Sequence, residues 1–348
     1  MVRKRKLEPI EFPHMLEDLP AVKGKVKARW EDFVVEEIPE TAPSGEGPYI
    51  RILVEKRGWD METLIRHLAT QLEIDDTQVG YAGLKDKQAV TRQWFSVPAD
   101  CRDRLERVDS PSTKLLESHA DDVFLKPGHL SGNRFVIRLR GAPVESLDVA
   151  RTALERLARD GLANVYGNQR FGKDLQAVET GRSVVLGEKE LTGLSRLKRR
   201  FVISAFQSFL FNAYAAARIE RGLLRRVLTG DVLRDIPSDT LLIAGARWRA
   251  VDVDGKRLAV TGPVYGRGLM WGEGRVRELE LDVLSRYGIA PSAFDEFQAI
   301  GWGSRRNLLV FPEECSVSPD PDGILLAFQL PKGCFATTVL REIVKREL

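Results

Sequence analysis

Chemistry in this 348-residue chain is most readily placed at Gly83-Leu84-Lys85-Asp86-Lys87-Gln88, where a turn runs into a strand-like segment at residues 89–97. Gly83 lets the backbone bend. Lys85, Asp86 and Lys87 set one carboxylate between two ammonium groups, and the following residues are the β-branched and aromatic types that suit a sheet. A carboxylate held at the mouth of a strand can attack an electrophilic carbon or take a proton from one. The same composition also describes a solvated turn with no catalytic task. From these residues alone, both readings stand.

Such a turn needs elements on either side to position it. In residues 25–36, Val26, Ala28 and Trp30 alternate ahead of Phe33 and Val35, which predicts a strand bent near Glu31 and Asp32. Residues 49–54 predict a second strand. Asp60 is suited to cap a helix carried by Met61, Leu64, Ile65, Leu68, Ala69 and Leu72. Further on, Phe135, Ile137 and Leu139 alternate after a turn at Gly132-Asn133, and Leu147, Ala150, Leu154 and Leu157 mark a helix stopped at Gly161. This order predicts an α+β fold, a mixed or antiparallel sheet with helices on it, in preference to a doubly wound parallel sheet. Asn164 to Gly172, short, polar and aromatic, reads as a loop at the edge of that sheet. From about residue 190 the pattern changes to a long helix at 196–221, short strands at 248–253 and 258–261, and helices at 282–287 and 292–297.

The length allows two cores, because single cores stop growing at roughly 250 to 300 residues. With 43% hydrophobic and 30% charged residues, no apolar run approaches the ~20 residues of a membrane helix, so no membrane partner is expected. The basic residues 3–6 are followed by Glu8, Glu11, Glu17 and Asp18 where a signal peptide would be apolar. Three cysteines and four scattered histidines lack paired metal-ligand spacing, which predicts neither disulfides nor a metal site and fits a reducing cytoplasm. A net charge of +3 and a pI near 8.7 are too mild to hold nucleic acid by overall charge. A local patch would be needed, at residues 3–6, at 196–200, or at Arg221 with Arg225 and Arg226, and each of these also reads as a solvated face.

The Gly-Leu-Lys-Asp turn resembles the active-site motif of the TruD family of tRNA pseudouridine synthases, in which a Gly-x-Lys-Asp turn carries a nucleophilic aspartate. Four more stretches resemble that family's in the same order: Lys27-Ala28-Arg29-Trp30-Glu31-Asp32-Phe33, Gly132-Asn133-Arg134-Phe135, Asn164-Val165-Tyr166-Gly167-Asn168-Gln169-Arg170-Phe171-Gly172, and Pro331-Lys332-Gly333-Cys334-Phe335-Ala336-Thr337-Thr338. The resemblance implies a catalytic domain made of residues 1–189 and 312–348, interrupted by an inserted TRUD domain at 190–311. It also implies a tRNA partner, the uridine at position 13 of the D-arm as substrate, a cytoplasmic location and a monomer. No cofactor or metal is expected, because converting uridine to pseudouridine is a redox-neutral isomerisation.

By the same resemblance Asp86 is the nucleophile. It either attacks C1′ or removes a proton from C2′, and the sequence leaves both open. Lys27 is the cation that would balance it. Lys85 is nearer in sequence, but neighbouring side chains need not converge. Tyr166 stands where the family usually has Phe and would stack on the target base, with a hydroxyl available to move the C5 proton. Asn164 can donate and accept hydrogen bonds, as a uracil edge requires. Phe33 and Phe335 match substrate-contacting phenylalanines, although an isolated Phe ordinarily packs in a core. Gln169 and Arg170 are candidates for ordering the loop or touching phosphate. Two other classes are weighed beside this one. A non-catalytic RNA-binding protein would have no need of Asp86, and a hydrolase with an aspartate nucleophile would call for a second carboxylate or a metal cluster that the sequence does not offer.

Overall fold

Alternating apolar residues build one large sheet, and the helical spacing of Leu64, Leu68 and Leu72 lays a helix across it. The computed structural model describes residues 7–190, 192–193, 195–248, 257–297 and 300–346. Its elements run β1 (Phe33–Pro39), β2 (Tyr49–Arg57), α1 (Met61–Leu72), β3 (Gly80–Tyr81), β4 (Val90–Pro98), β5 (Thr113–Asp121), β6 (Leu130–Arg140) and α2 (Leu147–Asp160). They continue as β7 (Leu162–Ala163), α3 (Gln176–Val185), α4 (Arg196–Glu220), β8 (Val232–Asp235), β9 (Leu241–Ile243), β10 (Leu258–Val264), α5 (Gly274–Arg286), β11 (Ser304–Asn307) and β12 (Leu309–Val310). The chain closes with β13 (Glu313–Asp320), β14 (Gly323–Pro331) and α6 (Ala336–Val344). No helix among the described residues is long and apolar enough to cross a membrane.

The chain packs as two units, one made of Leu16–Asp160 with Pro312–Leu348 and the other of Met1–Met15 with Gly161–Phe311. In the first, the strand order is β13-β14-β6-β1-β4-β2-β5, with β3 added on β4. The sheet is mixed, since β1 and β4 run parallel and the other neighbours are antiparallel. Ile50, Ile52 and Val54 of β2 face Leu64, Leu68 and Leu72 of α1, and none of these side chains reaches solvent. Asp60 caps α1 by accepting from the Thr63 N–H at 2.9 Å. The second unit is arranged on α4, whose Ile203, Phe206 and Leu210 are buried, with a sheet of order β11-β10-β8-β9 and a β7/β12 ribbon.

The α+β expectation and the mixed sheet are what the fold shows, and several details differ. Residues 25–32 do not form a strand: Lys25 makes one bridge to Arg140, Lys27 sits at φ 55°, and Trp30–Asp32 is a tight 3-10 turn. The reason is Asp32, which is buried, accepts from the Arg29 N–H and from Arg138 and Arg140, and so curls the chain before β1 starts. Gly132 and Asn133 lie inside β6, where Gly132 is pressed against the Leu330 carbonyl so closely that a side chain would collide with it. Asn164 to Gly172 belongs to the other unit, with a 3-10 turn at Asn168–Phe171. The packing divides at Asp160/Gly161 and Phe311/Pro312, because β7 pairs with β12 and α3 packs on α4, so residues 161–189 share a core with 196–311. The helix expected at 282–287 starts at Gly274, and that at 292–297 is the short turn Pro291–Phe294. The basic residues 3–6 and most of the strand expected at 248–253 lie outside the described residues.

Candidate active site

Because β1 and β4 run parallel, with Val34 opposite Val90, the segments that lead into them emerge at the same end of the sheet. One carries Lys27 and the other Asp86. β2 runs antiparallel to β4 and brings Arg57 opposite Val90, so its last residues arrive there too. Three stretches far apart in sequence therefore meet for a topological reason.

The Lys27 Nζ donates to Asp86 Oδ2 at 2.8 Å, and it lies 4.2 Å from the centre of the Phe33 ring. A cation against a ring face and a carboxylate together is held from two sides. The Asp86 side chain is 53% exposed and that of Lys27 18%, so the carboxylate faces outward with its counter-charge beneath it. Phe33 itself is 3% exposed and packs edge-on against Phe135 at 6.2 Å.

The turn is anchored from below by groups that the sequence reading passed over. Lys56, fully buried, donates to the Asp86 carbonyl at 2.7 Å and to the Trp59 carbonyl at 2.6 Å. Burial pushes its ammonium down to about 8, against the pull of the Asp86 and Asp60 carboxylates. The Gln93 amide donates to the Gly83 carbonyl at 2.5 Å. Lys85 turns inward, away from the solvent-facing Asp86 carboxylate, pairing with the buried Glu37 at 2.7 Å and donating to Asn133 Oδ1 at 2.5 Å. Burial holds the Glu37 carboxyl above its usual range, with Lys85 pulling the other way. Lys87 stays at the surface, 3.5 Å from Asp60. A signal for the missed residues was present. Lys56 continues the buried register of Ile50, Ile52 and Val54, Glu37 that of Phe33 and Val35, and Gln93 that of Phe95 and Val97. A polar residue on the apolar face of a strand needs a partner.

Phe335, in the same unit, stands at the N-cap of α6 and is 39% exposed. The other sequence-predicted residues belong to the second unit. There the Asn164 side chain is bound internally, Nδ2 donating to the Asn307 carbonyl at 3.0 Å and Oδ1 accepting from Arg306 at 2.5 Å. Tyr166 is half-buried. Its backbone exchanges hydrogen bonds with the Asn212 amide at 2.9 and 2.8 Å, and its ring lies 4.2 Å under the Arg306 guanidinium. Arg306 therefore ties Asn164 to Tyr166, a link with no sequence signature. Gln169 is exposed, and Arg170 donates to Ser204 Oγ at 2.9 Å.

The sequence model of the family described as tRNA pseudouridine synthase D (TruD) matches residues 10–192 and 188–343. A tRNA pseudouridine synthase D of Thermus thermophilus is 37% identical over 343 residues, which cover 97% of this chain and 94% of that protein. The protein of the same name from Anaeromyxobacter sp. strain Fw109-5 is 37% identical over 346 residues and 96% of each chain. Among solved structures, one from Methanosarcina mazei assigned to tRNA pseudouridine synthase D (TruD) superposes with a TM-score of 0.73 at 24% identity over 95% of both chains, a likeness of fold. With that sequence model running through both units and relatives 37% identical along almost its whole length, the chain belongs to the tRNA pseudouridine synthase D family.

Proposed function

We propose that this chain isomerises a uridine of tRNA to pseudouridine, that the uridine is the one at position 13 of the D-arm, and that Asp86 is the reacting carboxylate. The observation that carries the reading is the Lys27–Asp86 pair at 2.8 Å, presented outward from a turn whose peptide is gripped by Lys56. In the reaction the C1′–N1 bond breaks, uracil turns, and C1′ bonds to C5. The C5 proton is lost and N1 gains one, so no electrons are exchanged and no cofactor is invoked. Asp86 takes part by bonding to C1′, or by removing the C2′ proton and later returning it. Deuterium at C2′ gives a primary isotope effect on turnover only in the second case.

The unit holding Asp86 is the catalytic domain in this reading, and Lys27 balances the carboxylate against the ribose. Phe33 acts chiefly through Lys27, whose ammonium it supports. Asn164 and Tyr166 are assigned to the uracil edge and face, and Phe335, Gln169 and Arg170 to substrate contact, on the family's pattern. The target base must leave its stack, at a cost of a few kcal/mol that binding has to offset.

The test is carbodiimide labelling and primer extension on tRNA incubated with the wild-type chain and with Asp86→Asn. Wild type is expected to give pseudouridine at position 13, and Asp86→Asn none while still binding tRNA. Equal conversion by both removes Asp86 from the mechanism. Binding without conversion by either favours a non-catalytic RNA-binding protein.

A further inference from the structure

Beside the Lys27–Asp86 pair lies an open groove of about 420 Å³, lined by Lys27, Ala28, Arg29, Trp30, Glu31 and Gln88. Its most unusual wall is Trp30, a large aromatic that is 50% exposed. The indole is not loose. Gly58, at φ 69°, lies against it so closely that a side chain there would come within 2.9 Å of the ring. The turn that carries Trp30 is pinned by Asp32, which accepts from the Arg29 N–H at 2.9 Å, from Arg138 at 3.1 Å and from Arg140 at 2.7 Å. A ring packed on a glycine and carried by a turn anchored on the buried Asp32 carboxylate forms a platform whose remaining surface is free to receive another flat group.

The charges around it say what kind of group. Arg29 and Glu31 are both exposed and opposite in sign, and Lys27 is already paired with Asp86. The rim is therefore close to neutral, which does not suit a phosphate and does suit a planar, uncharged, hydrogen-bonding ring. Gln88 and the Arg29 and Glu31 side chains supply donors and acceptors for its edge. We infer that this groove is a subsite for an RNA nucleobase neighbouring the reacting uridine, stacked on Trp30. The inference rests on the proposed reaction for its location, and on the platform itself for its chemistry.

The test is a binding cycle that needs no turnover. Affinities at fixed salt are measured by fluorescence anisotropy for the wild-type chain, Trp30→Ala and Trp30→Phe, each with a tRNA transcript and with transcripts made abasic at the nucleotide on either side of the converted uridine. One base–aromatic stack corresponds to a loss of roughly 5- to 150-fold. Trp30→Ala is expected to lose affinity in that range for intact tRNA, Trp30→Phe much less. One abasic transcript is expected to cost wild type a similar factor and Trp30→Ala almost nothing further. Additive losses on both abasic transcripts, or unchanged affinity of Trp30→Ala, overturn the subsite. Melting curves that match wild type keep misfolding out of the comparison. If the wild-type chain converts no uridine, the proposed function has failed. The platform is then judged on abasic sites scanned along the D-arm, with a Trp30-dependent loss at one position supporting it and none overturning it.

Discussion

The side chain on which the site geometry turns is Lys56, because it carries a charge where solvent does not reach and spends its hydrogen bonds on the backbone of Asp86 and Trp59. Replacement by Met keeps the volume and removes the grip. The rate constant for pseudouridine formation should then fall roughly ten- to a hundredfold, since a small misplacement of a reacting group costs that much, while tRNA affinity stays close to wild type. Burial also has a stability signature. The Lys56 ammonium is pushed from 10.5 to about 8 in the folded chain, so between those values the unfolded chain holds more protons. The penalty for burying the charge is present below pH 8 and is relieved as pH rises. Relative to Lys56→Met, the wild-type chain should therefore gain up to ~3 kcal/mol between pH 8 and 10.5, read from urea midpoints at several pH values. A flat difference across that range would mean that folding does not lower the pKa of Lys56.

At the level of elements, the motif turn is a short span held between strands, and its footing is the Lys85–Glu37 pair inside the sheet, joined by Asn133 of β6 and by the Trp94 N–H, which donates to Glu37 at 3.3 Å. Removing one member of a buried pair leaves the other uncompensated, at about 3 to 5 kcal/mol. Lys85→Met should destabilise the chain by that order in urea unfolding at pH 8. The loss should shrink as pH falls, because a glutamate whose carboxyl is held above its usual range by burial takes up a proton before a free carboxylate does and then ceases to be a buried charge. A loss independent of pH would point to packing instead.

On the scale of the whole molecule, each unit has a core of its own, and the one built on α4 contains two ion pairs with no solvent exposure, Arg218–Asp231 and Arg305–Glu280, each at 2.6 Å. Arg218 also donates to the carbonyls of Leu223 and Arg226, so it ties the end of α4 to the loop that follows. Asp231→Asn should cost about 3 to 5 kcal/mol in urea unfolding, well above an exposed pair such as Arg66–Glu62, whose removal should stay under about 1 kcal/mol. The amino-acid sequence by itself determined the α+β character, the helix capped by Asp60 and the Gly83–Asp86 turn, because each depends on neighbours within a few residues. It also determined family membership, through stretches that can be read one at a time. The family resemblance puts Lys27 ahead of Lys85 as the cation for Asp86, but only the tertiary structure decided that Lys27 and Asp86 meet across 59 positions, that Lys56 and Gln93 grip the turn, and that residues 161–189 share a core with 196–311. These follow from which strands lie side by side and in which direction. Strand pairing over such separations is chosen by the summed burial of whole faces, and no local spacing records the choice.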